Sequence, residues 1–392
     1  MLNKKMQKLG EERSAIRELF EYGAGRKKQI GAENVFDFSL GNPSVPAPPQ
    51  IKQTAEKLLE EVPAELLHGY TSAAGLPDVR KAVANYIKTK FGAPMSAEYV
   101  YMTCGAAASL TVSLNALLEE GDEVVVPVPF FPEYRVFIEN AGGTLVHAPT
   151  DCRFHLDMGA MEKAITPRTK AVIINSPNNP TGAVYSGEEM TALGALLKKK
   201  SEEKGEPIFL LADEPYRELC YGEEPVYPMQ VYENTLVLYS FSKSLSLAGE
   251  RIGYIAVSPK CAHAGEVFAA VCGAGRALGF VCAPSLFQRV VSLCLGSHSD
   301  VEEYRRNRDL LYASLSDMGY TCVVPEGAFY LFVKALEPDA VAFCERAKKH
   351  ELLLVPSNSF GVEGYVRISY CVSRAVIEKS LPAFKKLIAE YK

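Results

Sequence analysis

TLVLYSFSKSLSLAGERIGYIAVSP, residues 235–259, is the stretch on which the fold turns. It opens on one apolar run, TLVLYS, and closes on another, IGYIAVS. Continuous runs of this kind predict strands covered on both faces. Between them Lys243 sits among small residues, at what would be the mouth of a buried sheet. The plain alternative is a solvated lysine at a strand end.

Upstream, five more runs have the same character: EYVYMT (98–103), EVVVP (123–127), GTLVHAP (143–149), KAVIIN (170–175) and PIFLLAD (207–213). Helical patterns interleave with them, among them PDVRKAVANYIKTKF, AASLTVSLNALLEE, LDMGAMEKAI and EEMTALGALLKKKSEEK. The alternation predicts an α/β fold with a mainly parallel, doubly wound sheet in a large domain, residues 46–275. After about residue 275 helical stretches precede AFYLFVKA, ELLLVP and GYVRISY, which predicts a smaller α+β domain over 276–392. Residues 1–45 precede the sheet pattern, run into GNPSVPAPP, and are expected to pack with that smaller domain. Two lobes suit 392 residues, more than one core usually supports.

Composition excludes several classes. Lys plus Arg number 42 against 47 Asp plus Glu, and the net charge of −5 argues against a nucleic-acid footprint. No apolar run approaches the ~20 residues of a membrane helix. The charged start, MLNKKMQKLGEERSAIREL, lacks the apolar core of a secretory signal. Ten scattered cysteines without a C-x-x-C, and six histidines without ligand spacing, point away from a metal site. Reduced thiols in a cytoplasmic protein are expected.

In open α/β sheets ligands bind beyond the carboxyl ends of the strands. Gly105 follows EYVYMT, Asn179 follows KAVIIN, Asp213 ends PIFLLAD and Ser240 ends TLVLYS. One convergent site is expected there.

Ser240-Phe-Ser-Lys243-Ser-Leu-Ser-Leu-Ala-Gly249-Glu-Arg251-Ile-Gly253 resembles the lysine-attachment pattern of the class I/II aminotransferases, pyridoxal phosphate (PLP) enzymes of fold type I. Tyr70, Gly105-Ala-Ala, Phe131, Asn179-Pro-Thr-Gly, Asp213-Glu-Pro-Tyr216 and Arg367 follow in the family's order, so the resemblance spans nearly the whole chain. It implies that Lys243 forms the Schiff base with PLP and later moves the substrate proton, which needs its amine neutral. It implies that Asp213 faces the pyridine nitrogen and keeps it protonated; a helix N-cap is the alternative there. Gly105, Ala106 and Ala107 open a helix whose free N–H groups suit a phosphate, although GAAAS alone is more often a plain packing sequence. Ser240, Ser242 and Arg251 are the further phosphate ligands implied, and Tyr70 reaches the phosphate from the other subunit of a homodimer.

Asn179 and Tyr216 resemble the pair that hydrogen-bonds the cofactor's phenolic oxygen, with a turn before Pro180 as the alternative for Asn179. Phe131 resembles the aromatic stacked on the ring, against a core role and a competing register at Phe130. Three positions on stands Tyr134, where the best-known aspartate enzymes carry a histidine, and that histidine's role is not transferred. Arg367 resembles the clamp on the substrate α-carboxylate, against a structural ion pair, and Gly41 contributes backbone nearby. Asn179 belongs to the same substrate-binding group, and Arg276 is a candidate for a side-chain carboxylate.

Two other motifs fall away. Ser240-x-x-Lys243 is also an S-x-x-K, but its S-D-N and K-T-G companions are absent. Gly273-Ala-Gly275-Arg-Ala-Leu-Gly279 has its third glycine one position late for a dinucleotide fingerprint. The function expected is transfer of an amino group between an L-amino acid and a 2-oxo acid by ping-pong chemistry, leaning to an aspartate-type donor. A PLP-dependent C–S β-lyase of the same fold is the alternative, and the arginine within G-x-R-x-G favours transfer.

Overall fold

The computed structural model describes residues 2–11 and 15–392. Met1 and residues 12–14, part of the expected N-terminal segment, lie outside the described residues. Seven strands form the main sheet: β1 (Val100–Thr103), β2 (Glu123–Val128), β3 (Thr144–Pro149), β4 (Thr169–Asn175), β5 (Phe209–Asp213), β6 (Thr235–Ser240) and β7 (Gly253–Val257). Their spatial order is β1-β7-β6-β5-β4-β2-β3. All neighbours run parallel except β7, which is antiparallel to both β6 and β1.

The period of two explains why these runs read as solidly apolar. Val125, Val172, Leu210 and Val237 pack on one face of the sheet. Their chain neighbours Val124, Ala171, Leu211 and Leu236 pack on the other. With helices covering both faces, successive residues are buried in opposite directions.

A three-stranded antiparallel sheet, β8 (Tyr330–Lys334), β9 (Val355–Pro356) and β10 (Tyr365–Ser369), has β10 at its centre. The expected single run ELLLVP is split. Leu352–Leu353 pairs in parallel with Phe36–Asp37, and only the two residues after Leu354 join β10. The segment thus bridges the N-terminal stretch and the smaller sheet. Leu19 and Val35 share an apolar cluster with Phe332 and Val355. Helix Ser285–Leu293 buries Val290 and Val291 in the cluster of the main sheet, although it lies beyond residue 275. Helix Ala264–Ala277 has no counterpart among the helical stretches read from the sequence. Its three glycines mask the period, and Gly275 is required because a Cβ there would meet the Tyr101 ring.

Directly after β6 the chain makes a helical turn, Phe241–Ser244, capped by the Ser240 hydroxyl, which accepts from the Ser242 N–H at 3.2 Å. That turn carries Lys243 past the end of β6.

Candidate active site

The carboxyl ends of β4, β5 and β6 place Asn175, Asp213 and Ser240 along one rim, Asn175 and Asp213 being register partners. Above the rim lies a cavity of about 260 Å³. Lys243 lines it, and its Nζ donates to the Gly41 carbonyl at 2.6 Å. Gly41 therefore meets the lysine through its backbone. Burial favours the uncharged amine, and Arg251 and Arg367 reinforce this against the nearby Cys371, so the lysine falls to about 8. The solvated-lysine alternative does not describe such a group.

At one end of the cavity, helix Ala106–Leu117 begins with Gly105 at φ 88, a conformation glycine enters without strain. A Cβ at Gly105 would lie 3.0 Å from Arg251 Nη2, so glycine also lets the guanidinium pass. Ala106, Ala107, Ser240, Ser242 and Arg251 line this end. The Ser240 hydroxyl donates to Ser242 Oγ at 2.8 Å, and Arg251 Nη1 reaches Ser242 Oγ at 3.5 Å. Free helix N–H groups, two hydroxyls and a guanidinium form an anion cradle.

Phe131 lines the wall, whereas Phe130 is buried behind it against Tyr134 and His147. Across the floor, Asp213 Oδ2 accepts from the Tyr134 hydroxyl at 2.5 Å, while the buried Oδ1 has no partner. No backbone N–H caps onto that side chain among the described residues, so Asp213 is not a helix cap. Burial drives its carboxyl up to about 7; the Tyr134 hydrogen bond opposes this and the charge of Glu214 adds to it.

The turn before Pro180 is organised by Asn178, whose Oδ1 accepts from Thr181. Asn179 is thereby released to accept from Arg367 Nη1 at 3.0 Å. Arg367, 2 % exposed in β10, also donates to the Ser39 carbonyl at 2.6 Å and stacks over Tyr330 at 4.6 Å. It pairs with no acid among the described residues, and its buried Nε has no partner. A structural ion pair is thus excluded among those residues. The Tyr216 and Tyr330 hydroxyls share a hydrogen bond of 2.8 Å beside it.

Two residues of the expected set lie elsewhere: Arg276 is exposed and outside this cavity, and so is Tyr70. Tyr70 is 93 % exposed. Others had no role assigned from the sequence: Tyr134, Asn175, Tyr330, Leu40 and Ile16. Asn175 Nδ2 donates to the Asp213 carbonyl and its Oδ1 accepts from the Asn179 N–H, tying two expected residues together. Its position at the end of KAVIIN, register-paired with Asp213, was the available signal.

The residues present fit PLP. They offer an anion cradle, an aromatic wall, an amine that can be neutral, and an unpartnered carboxylate oxygen for a cationic ring nitrogen.

Comparison with known proteins points the same way. The profile of the family "Aminotransferase class I and II" matches residues 33–384. The chain is 32 % identical to the aspartate/prephenate aminotransferase of Thermus thermophilus, over 89 % of this chain and 90 % of that one. It is 31 % identical to the aspartate aminotransferase of Thermotoga maritima, covering 87 % and 88 %. An amino transferase structure from Eubacterium rectale superposes with a TM-score of 0.97 at 51 % identity, covering 100 % of this chain and 99 % of that one. The Thermus thermophilus aspartate aminotransferase with maleate gives 0.88 at 30 % identity, covering 99 % of each. These matches favour amino transfer over C–S cleavage, and with the lysine, carboxylate and arginine gathered on one rim they lead to one conclusion: the chain belongs to the class I and II aminotransferases.

Proposed function

We propose that this transaminase works with PLP held by Lys243, Asp213 and the anion cradle, and that its donor is of the aspartate type. The observation that carries the cofactor reading is the pairing of a desolvated amine with an orphaned carboxylate oxygen in one cavity. When bound, PLP supplies an electrophilic aldehyde and a ring that accepts electrons. Arg367, already fixed by Asn179 and Ser39, would bind the substrate α-carboxylate in two-point geometry. Lys243 Nζ, once neutral, takes the proton from the substrate Cα and holds it for return in the same active site. Asn179 and Tyr216 would supply hydrogen bonds to the ring oxygen of bound PLP.

The assembly proposed is a homodimer in which Tyr70 completes the partner's phosphate site. Its near-complete exposure, with Leu66 and Val281 also exposed, supports this. Tyr70→Phe should then weaken PLP retention several-fold with the dimer intact, as read by equilibrium dialysis and light scattering. The division into residues 1–45, 46–275 and 276–392 is also proposed, with helix Ser285–Leu293 riding on the main sheet. Ten unpaired cysteines support a cytoplasmic location.

The aspartate lean rests on the relatives named above. Lys243, Arg251 and Arg367 line the cavity and each has a task, so a second carboxylate needs another cation. Arg276, exposed and outside its own chain's cavity, is the candidate to reach across the dimer. The apolar wall of Ile16, Leu40 and Phe131 supports a second reading, an aromatic or aliphatic donor. A donor screen decides: oxo acid formed fastest from aspartate supports the first reading, and preference for phenylalanine or alanine the second. Pyruvate with ammonia from a cysteine conjugate would overturn transfer. In the same assay Arg367→Lys should raise KM for donor and acceptor alike by about 10- to 100-fold, because an ammonium cannot reproduce the two-point grip.

A further inference from the structure

His155 lies outside the cavity, yet both of its ring nitrogens face carboxylates. Nδ1 is 3.0 Å from Glu189 Oε2, and Nε2 is 3.2 Å from Glu326 Oε2. A neutral imidazole has one N–H and one lone pair, so it would set that lone pair against one of the two. Only the imidazolium donates in both directions.

The two carboxylates belong to different parts of the molecule. Glu189 is fixed on the main sheet's side: it completes a capping box with Ser186 at the start of helix Gly187–Lys204 and accepts from the Leu156 N–H at 2.9 Å. Glu326 stands just before β8, in a loop that crosses the Asn179-Pro-Thr-Gly turn. The N–H groups of Glu326 and Gly327 both donate to the Gly182 carbonyl at 2.9 Å, and Glu326 Oε2 accepts from the Val184 N–H at 3.0 Å. A Cβ at Gly182 would lie 2.6 Å from Pro325 Cβ, so this crossing needs the turn's glycine. The turn presents Asn179 and the strand presents Tyr330. Both touch Arg367, one through its side-chain oxygen at 3.0 Å and the other through its ring at 4.6 Å.

We infer that His155 is a positioning residue for substrate binding: as an imidazolium clipped between Glu189 and Glu326, it keeps the Asn179 turn and the Tyr330 strand in the mutual placement that sets the Arg367 fork. The inference rests on the reading of Arg367 as the clamp on the substrate α-carboxylate. Hydrogen bonds to Glu189 and then to Glu326 hold the imidazolium up to about 10, against the opposing effect of burial. Arg153 Nη2 meets Glu326 from another side, 3.4 Å from Oε1. Asp151 Oδ1 is taken by the Arg153 and His155 main-chain N–H groups, each at 2.8 Å. Glu223 and Glu224 line an adjoining cavity of about 270 Å³ and carry the same sign as the clip's own acids. Burial pushes up the Cys220 and Cys322 thiols and the Tyr185 phenol beside the clip, which keeps them neutral.

An arginine that binds the substrate carboxylate alike in ground and transition states contributes to KM rather than to kcat. His155→Gln and Glu326→Gln should therefore each raise KM for the 2-oxo acid acceptor about 3- to 10-fold in the loaded enzyme, with kcat within about two-fold of wild type. The acceptor is 2-oxoglutarate or pyruvate, whichever turns over, and neither has an amine to titrate. The double variant should be no worse than the weaker single one, because either change opens the same clip. A role in stability alone would lower the urea midpoint and leave KM where it was. Carbon-13 NMR of the histidine rings adds a reading of the charge in cofactor-free protein. The signal lost in His155→Gln should remain that of an imidazolium up to about pH 10, and Glu326→Gln should bring its midpoint down. A neutral His155 at pH 8 overturns the inference even if neither variant folds for kinetics. An unchanged KM in either folded variant also overturns it, provided that Arg367→Lys raises KM in the same assay. If Arg367→Lys leaves KM unchanged as well, the clamp reading has failed and this inference falls with it.

Discussion

Lys243→Ala is expected to lose at least about 10⁴-fold in turnover, since one side chain supplies both the attacking amine and the proton carrier. The change removes a buried ammonium whose contacts are the Gly41 carbonyl and the face of Phe329 at 5.6 Å, so the fold should survive. Unchanged circular dichroism and partial recovery of turnover with added methylamine would separate lost chemistry from lost structure. Near-normal turnover in the variant would reject the assignment of Lys243.

The same lysine gives a pH dependence with a definite sign. Its folded value lies near 8, below the unfolded value of about 10.4. Below pH 8 the neutral fraction falls tenfold per unit, so the rate at which cofactor-free protein acquires PLP should climb with pH and level off above about 8. The unfolded chain binds the extra proton between pH 8 and about 10.4. Across that window this group therefore makes the cofactor-free protein more stable as pH rises.

Asp213→Asn should cut turnover by about 10² to 10³-fold, measured as single-turnover proton abstraction, because an amide cannot hold a proton on a ring nitrogen. An unchanged rate would contradict the electrostatic role of Asp213. Stability should move the other way. The folded carboxyl titrates near 7 against about 3.9 unfolded, so the folded protein binds the extra proton between those values. Its destabilising effect therefore grows as pH rises from about 4 to 7 and is complete above. At pH 8 cofactor-free Asp213→Asn should be the more stable protein, by up to about 4 kcal/mol, with no such advantage at pH 4. Urea midpoints at the two pH values provide the measurement. A carboxylate that destabilises the empty protein and accelerates the loaded one belongs to function rather than to folding.

How far the sequence reaches can be judged residue by residue. Six of the seven main strands were legible because burial on both faces leaves no polar interruption in runs such as KAVIIN and TLVLYS, whereas the edge strand Thr144–Pro149 is largely exposed. Lys243, Asp213 and Arg251 were legible because each lies within a short motif whose spacing is set by one strand end and the turn after it. Helix Ala264–Ala277 was not, because its three glycines mask the helical period, and one of them, Gly275, answers to the Tyr101 ring packed against it.

By itself the sequence determined the alternation of strands and helices, the family, and the groups carried at the strand ends, since those depend on local period and short spacing. Only the tertiary structure decided that Tyr134 holds Asp213, that Gly41 meets Lys243 from 202 positions away, and that Ile16 and Leu40 join the cavity wall. Contacts of that range are made by the packing of separate elements. A hydroxyl or a backbone carbonyl carries no mark in the sequence of the partner that packing brings to it.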